Sequence, residues 1–120
     1  MAEVRSINAV TLATDDMAAS LAFYRALGFE LTYGGPREGF STLSSGGCHV
    51  NLFVSDEPQT NWGRVIFHLD SVDAVDALYE RAVSAGLEPA AAPRDAPWGE
   101  RMFPIFDPTG HDLSFARPLE

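Results

Sequence analysis

Three histidines, one cysteine and eight arginines carry most of the side-chain chemistry of this 120-residue chain, which contains no lysine. The missing lysine removes Schiff-base chemistry and any lysine general base. Cys48 has no second cysteine to pair with, so no internal disulfide forms. A thiol nucleophile needs a neighbouring base, yet the adjacent His49 points to the opposite face of a strand, so Cys48 reads as packing. His68 lies four residues after Arg64 and shares its strand face, and His49 shares a face with Asn51 by the same parity. His111 follows a turn glycine and is expected at the surface. His49 and His68 could be assembled into an unorthodox metal site only with carboxylates that the neighbouring strands do not clearly offer. Gly-rich phosphate loops, Cys-x-x-Cys, His-Glu-x-x-His and Gly-x-Ser-x-Gly are all absent from the sequence.

The elements that must position these groups follow one pattern, stated twice. Residues 6–13 alternate and are β-branched, which predicts a strand. Asp15 or Asp16 caps a helix whose apolar face is Met17, Leu21, Tyr24 and Leu27, and Gly28 ends it. Strands follow at 29–33, 40–43 and 48–54, separated by a Gly34-Gly35-Pro36 turn and a Ser44-Ser45-Gly46-Gly47 break. After a linker at 55–61 the order restarts. A strand at 64–69 leads to a helix capped by Asp70 or Ser71, with Val72, Val75, Leu78 or Tyr79, Ala82 and Ala85 on its apolar face and Gly86 behind it. A weak edge strand at 87–92, a strand at 101–106, a turn at 107–110 and a strand at 112–117 complete the chain. Pro104, in mid-strand, predicts a bulge.

The predicted fold class is therefore α+β, two βαβββ modules (about 4–54 and 62–118) within a single domain spanning 1–120. Each module is a twisted sheet with a helix on one face. Two such sheets set side by side make an open, barrel-like cleft, a natural small-molecule site. The residues expected to line it are Ala9, Thr11, Ala13, His49, Asn51, Phe53, Arg64, Ile66, His68, Asp112 and Ser114, with Trp62 and Trp98 near its mouth. Arg64 either clamps a carboxylate or phosphate or pairs with Asp112. The tryptophans either stack on an aromatic ligand or anchor loops. Phe23, Tyr24, Leu27, Phe29 and Phe40 belong to a core or to a partner surface.

Composition narrows the partners. Hydrophobic residues make up 46% of the chain, enough for a core, and 8 basic against 17 acidic residues give a net charge of −9. That charge disfavours nucleic acid and anionic membranes and favours a cationic ligand. The N-terminus lacks a signal peptide's apolar stretch, and no apolar run approaches the roughly 20 residues of a membrane span. A cytoplasmic protein is expected.

Two stretches carry a family resemblance. Asp16-Met17-Ala18-Ala19-Ser20-Leu21-Ala22-Phe23-Tyr24-Arg25 with Leu27-Gly28-Phe29 is one. Pro97-Trp98-Gly99-Glu100-Arg101 with Asp107-Pro108-Thr109-Gly110-His111 is the other. With the paired βαβββ layout, they resemble the vicinal oxygen chelate superfamily, which includes glyoxalase I, extradiol dioxygenases, fosfomycin-resistance enzymes and bleomycin-resistance proteins. The motifs stand nearest the bleomycin-resistance-like branch. The resemblance implies a homodimer with clefts at or beside the subunit interface. For metal enzymes of the family it implies four ligands, usually His or Glu, at positions occupied here by Ala9, Asn51, Arg64 and Ser114. None is a good divalent-metal ligand, and a guanidinium repels a cation. The expectation is a metal-free protein without a cofactor or catalytic residues. It binds a small organic molecule, cationic or aromatic, and sequesters it as an antibiotic-resistance protein does. Two alternatives stand beside it: a metal-dependent lyase, isomerase or dioxygenase of the same superfamily, and a dimeric structural or regulatory protein with an unused cleft.

Overall fold

The structure is a computed structural model and describes residues 2–120. The chain divides after Pro58 into two compact units. The first contains β1 (Ala9–Thr14), α1 (Met17–Ala26), β2 (Glu30–Tyr33), β3 (Phe40–Ser45) and β4 (Cys48–Val54). The second contains β5 (Arg64–His68), α2 (Val72–Ser84), β6 (Arg94–Ala96), β7 (Glu100–Phe106) and β8 (Asp112–Pro118). Each unit forms a four-stranded sheet, ordered β1-β4-β3-β2 and β5-β8-β7-β6. The first and last strands run parallel, so a helical crossover is required, and the other pairs are antiparallel. The identical order confirms the duplication read from the sequence.

In the first unit Asp16 caps α1 by accepting the Ala19 N–H, and a buried Thr14–Ser20 hydroxyl pair behind the cap ties the helix to the end of β1. Met17, Leu21, Tyr24 and Leu27 are buried, as their spacing predicts. They meet the inward rows of the sheet: Leu12, Leu43, Val50 and Leu52. Tyr24 sits at the centre, edge-on to both Phe23 and Phe29. In the second unit Ser71 caps α2, and Val75 and Ala82 are its buried residues. The opposing sheet presents a ladder of rings, with Phe67 stacked on Phe115, Phe115 on Phe103, and Tyr79 of α2 edge-on to Phe103. Both helices end in a glycine of positive φ, Gly28 and Gly86.

Several boundaries differ from the sequence reading. β1 starts at Ala9, and β3 runs on through Ser44 and Ser45 to a two-residue Gly46-Gly47 turn. Residues 87–92 form no strand; β6 begins only at Arg94. Pro89 and Pro93 lack N–H groups, so continuous pairing with β7 is possible only beyond Pro93. Pro104 makes no bulge: β7 pairs with β8 in unbroken register from Glu100 to Phe106. Its carbonyl accepts the Ala90 N–H, so residue 104 turns its backbone polar groups away from β8. The missing N–H therefore faces the side on which β6 has already ended, where the ladder needs no donor.

Candidate functional site

Each sheet has one face packed on its helix and one open face. On the first sheet, register lines the open face up in three rungs. Ala9, His49 and Ser44 lie side by side, then Thr11, Asn51 and Thr42, then Ala13, Phe53 and Phe40. The middle rung is hydrogen-bonded across the strands: Thr42 Oγ1 donates to Asn51 Oδ1 at 2.7 Å and Asn51 Nδ2 donates to Thr11 Oγ1 at 3.2 Å. In the next rung Ser44 Oγ and His49 Nδ1 share a hydrogen bond. The third rung is aromatic, and Tyr33, which pairs in register with Thr42 of the middle rung, sets its ring against Phe40 of the third. The face thus grades from imidazole through amide and hydroxyl to aromatic. Thr42, Ser44, Tyr33 and Phe40 escaped the sequence reading of the site. Parity would have found the β3 residues had β3 been extended to its true end and paired with β4.

The second sheet repeats the arrangement with other chemistry. Arg64 pairs with Asp112 and Ile66 with Ser114, and His68 lies beside Ala116. Arg64 Nε donates to Asp112 Oδ1 at 3.2 Å, and its two terminal nitrogens have no partner among the described residues. Of the two readings of Arg64, the structure shows the pair with Asp112, which leaves the outer N–H groups without a partner among the described residues. Ser114 is 2% exposed and its hydroxyl has no hydrogen-bond partner. It lies between the half-exposed Ile66 and Pro104, with Phe106 exposed beside Asp112.

Not every expected residue converges. Trp62 lies at the Arg64 end of the sheet, where its indole N–H donates to His111 Nδ1 at 2.9 Å. Trp98 lies in the β6–β7 turn, beside the Glu100–Pro118 pair at the far end of β8. It donates to Glu100 Oε1 at 2.8 Å, and Arg94 sits over its ring. The seven-residue strand from Asp112 to Pro118 separates the two tryptophans by roughly 20 Å, so they do not flank one small ligand on this sheet. His68 is likewise four residues along from the Arg64–Asp112 rung, roughly 13 Å, too far for an acid–base pair with Asp112.

His111 corrects an expectation: it is 1% exposed, not a surface residue. The reason is Asp107, whose Oδ1 accepts the N–H groups of Thr109, Gly110 and His111. The Asp107 N–H closes the loop on the His111 carbonyl, and the ring is drawn under Trp62. The Asp-Pro-Thr-Gly-His stretch is thus a rigid connector that delivers Asp112 and Ser114 to the open face. Arg101 of the other motif is also structural. It makes two hydrogen bonds to Asp76 of α2, at 2.7 and 2.9 Å, and one to Asp95 of β6 at 3.0 Å. Those bonds hold the Asp76 carboxyl below the usual carboxylate range and push the guanidinium further up. Cys48 donates to the Ser45 carbonyl, and burial pushes its thiol up, away from the reactive thiolate.

The residues at the four positions that the resemblance assigns to metal ligands do not fit a divalent ion. Ala9 has no donor atom, the Asn51 amide is spent on Thr11 and Thr42, Arg64 is a cation, and Ser114 is a neutral hydroxyl. Among the described residues no group of three or more His, Cys, Asp or Glu side chains is placed to hold a metal ion. None of the described helices is long and apolar enough to cross a membrane.

The paired βαβββ units define an α+β protein of duplicated-module type. Residues 6–115 match the profile of the Glyoxalase/Bleomycin resistance protein/Dioxygenase superfamily, and the chain belongs to that superfamily. An uncharacterized protein of Mycolicibacterium smegmatis is 31% identical over 117 residues, covering 95% of each chain. A glyoxalase/bleomycin resistance protein/dioxygenase from Nocardioides matches at a TM-score of 0.78 and 27% identity, over 100% of this chain and 87% of that one. A bleomycin resistance determinant encoded on the transposon Tn5 shares the fold at a TM-score of 0.77 and 22% identity, over 95% and 98% of the two chains.

Proposed function

We propose that this protein binds a small organic molecule on the open faces of its sheets without a metal and acts by holding that ligand. One observation carries the reading: the four positions that serve metal chemistry in this superfamily are occupied by Ala9, Asn51, Arg64 and Ser114. What they offer instead is recognition. Arg64 supplies outer N–H donors on the second sheet, with Ile66 and Phe106 as apolar neighbours. The first sheet supplies an amide, hydroxyls and aromatic rings. The second face by itself suits an amphipathic compound whose oxygens accept from Arg64, and the first by itself suits an aromatic one. Sequestration of an antibiotic is the finer form of this reading, and a cytoplasmic homodimer is its expected state. The Tn5 determinant shares only the fold at its level of identity, so glycopeptide and aromatic antibiotics enter the test as candidates.

The test is calorimetric titration of the full chain with a panel of such antibiotics and aromatic metabolites, repeated on Arg64→Ala and Asn51→Ala. A ligand that binds metal-stripped wild type and weakens at least tenfold in either variant, about 1.4 kcal/mol, supports the reading. Metal analysis of protein purified without chelators supplies the opposing arm. Stoichiometric metal that is lost on replacing His49 or His68 overturns it in favour of a metal enzyme. A panel in which nothing binds or raises the melting temperature overturns it in favour of a structural protein.

A further inference from the structure

The imidazole end of the first sheet's open face holds a pair that the binding reading does not use. His49 of β4 gives its backbone N–H to the Asn8 carbonyl, away from β3. Its cross-strand partner Ser44 therefore faces it at a position with no backbone bond between the two, where opposed side chains come closest. Ser44 Oγ and His49 Nδ1 meet in a hydrogen bond, and both side chains are half-buried, open to solvent on one side.

The direction of that bond follows from its neighbours. A threonine hydroxyl has one hydrogen, and Thr32 gives its own to the Thr42 carbonyl at 3.3 Å. Thr32 Oγ1 lies 3.4 Å from Ser44 Oγ and has nothing left to donate there. The Ser44 hydrogen thus has two acceptors in reach, and the nearer, His49 Nδ1, makes the stronger bond. This assignment puts the ring proton on Nε2. A serine oxygen that gives its proton to a base and accepts no hydrogen bond keeps its lone pairs for attack.

Register adds a third group. Ser44 also pairs with Glu30 of β2, so the rung runs Ala9, His49, Ser44, Glu30 across all four strands. Directly opposed residues share a face, which puts the Glu30 carboxylate on the far side of Ser44 from the imidazole. Its negative charge favours the imidazolium that forms when His49 takes the serine proton, and its exposure keeps that effect small. His49 Nε2 has no partner among the described residues, so no carboxylate strengthens the base directly. The leaving group must then be a weak base, such as a phenolate.

We propose that Ser44 and His49 are a nucleophile and its general base for acyl transfer, with aryl esters of carboxylic acids as the substrate class. Ser44 Oγ attacks the ester carbonyl carbon as its proton passes to His49 Nδ1. The bond to the aryl oxygen breaks, and His49 returns the proton to the departing phenolate. Water then attacks the acyl-Ser44 carbonyl and gives a proton to His49. The carboxylic acid leaves as Ser44 Oγ recovers that proton. The step requires neither Arg64 nor the second sheet, so it goes beyond the reading above and can fail separately from it.

The test is release of p-nitrophenol from p-nitrophenyl acetate by the full chain, together with peptide mapping of the residue labelled by a fluorophosphonate. Release should saturate with ester, and the label should sit on Ser44. Ser44→Ala and His49→Gln should each slow release at least roughly tenfold, and Glu30→Gln roughly two- to threefold. Cys48→Ser, which removes the neighbouring thiol from the opposite face, should leave release unchanged. The labelled position is read in wild type, so it does not depend on how well a variant folds. Label absent from Ser44, release that does not saturate, undiminished release by Ser44→Ala, or release lost in Cys48→Ser overturns the proposal.

Discussion

A buried hydroxyl without a partner, as at Ser114, costs about 1–3 kcal/mol of stability. Ser114→Ala should therefore raise stability in urea denaturation, by about 1 kcal/mol. A loss of stability on this substitution would show that the hydroxyl is satisfied in solution. Asp76 makes the opposite case. Its carboxyl is held low by Arg101, so the pair stabilises the fold above the ordinary carboxylate pKa, and that contribution disappears as pH falls through the depressed value. Because both groups are partly exposed, the effect is about 1 kcal/mol or less. Wild type should lose more stability than Asp76→Asn between neutral pH and pH ~3, as urea melts at the two conditions will show. Much at this scale was legible. Strict alternation in β1, β4 and β5 put Thr11, Asn51, Arg64 and Ile66 on the correct face. His111 was not legible, because its burial depends on three backbone N–H groups folding back onto Asp107, an arrangement with no periodic signature.

The elements are held by a few connectors whose loss has definite consequences. Gly34→Ala should destabilise by about 2 kcal/mol or more, since both the backbone conformation and the space against β3 exclude a side chain. Asp107→Ala should cost a similar amount, about 2 kcal/mol, and release His111 from its contact with the half-exposed Trp62. A change in Trp62 emission, measured in a Trp98→Phe background, would report it. Unchanged emission would mean that the loop holds without its carboxylate. Both helices and all eight strands lie in segments with clear periodicity except β6, and β6 was misplaced. Its three residues are too few to alternate visibly, and its start is dictated by the last proline before it. The Asp-Pro-x-Gly and Pro-Trp-Gly motifs were visible as motifs, but their role as fasteners of β8 and α2 needed the hydrogen bonds to be seen.

For the whole molecule, the duplicated order and the family followed from the sequence because each module repeats the same caps, apolar face and closing glycine. Phe53, Ile66 and Phe106 remain substantially exposed on the open faces, which suits a second copy of the chain covering apolar surface. Sedimentation should give about 26 kDa, twice the 13.0 kDa of one chain, and a monomer at every concentration would sink this expectation. The short β6 has a further consequence. A sheet ends in a row of unpaired N–H and carbonyl groups, onto which stray chains can polymerise. In the second sheet that border is three residues long, begins with arginine and aspartate, and follows a proline. A fibril seeking a template finds almost nothing to copy there, so the edge that was hardest to locate in the sequence is also the one best defended against aggregation.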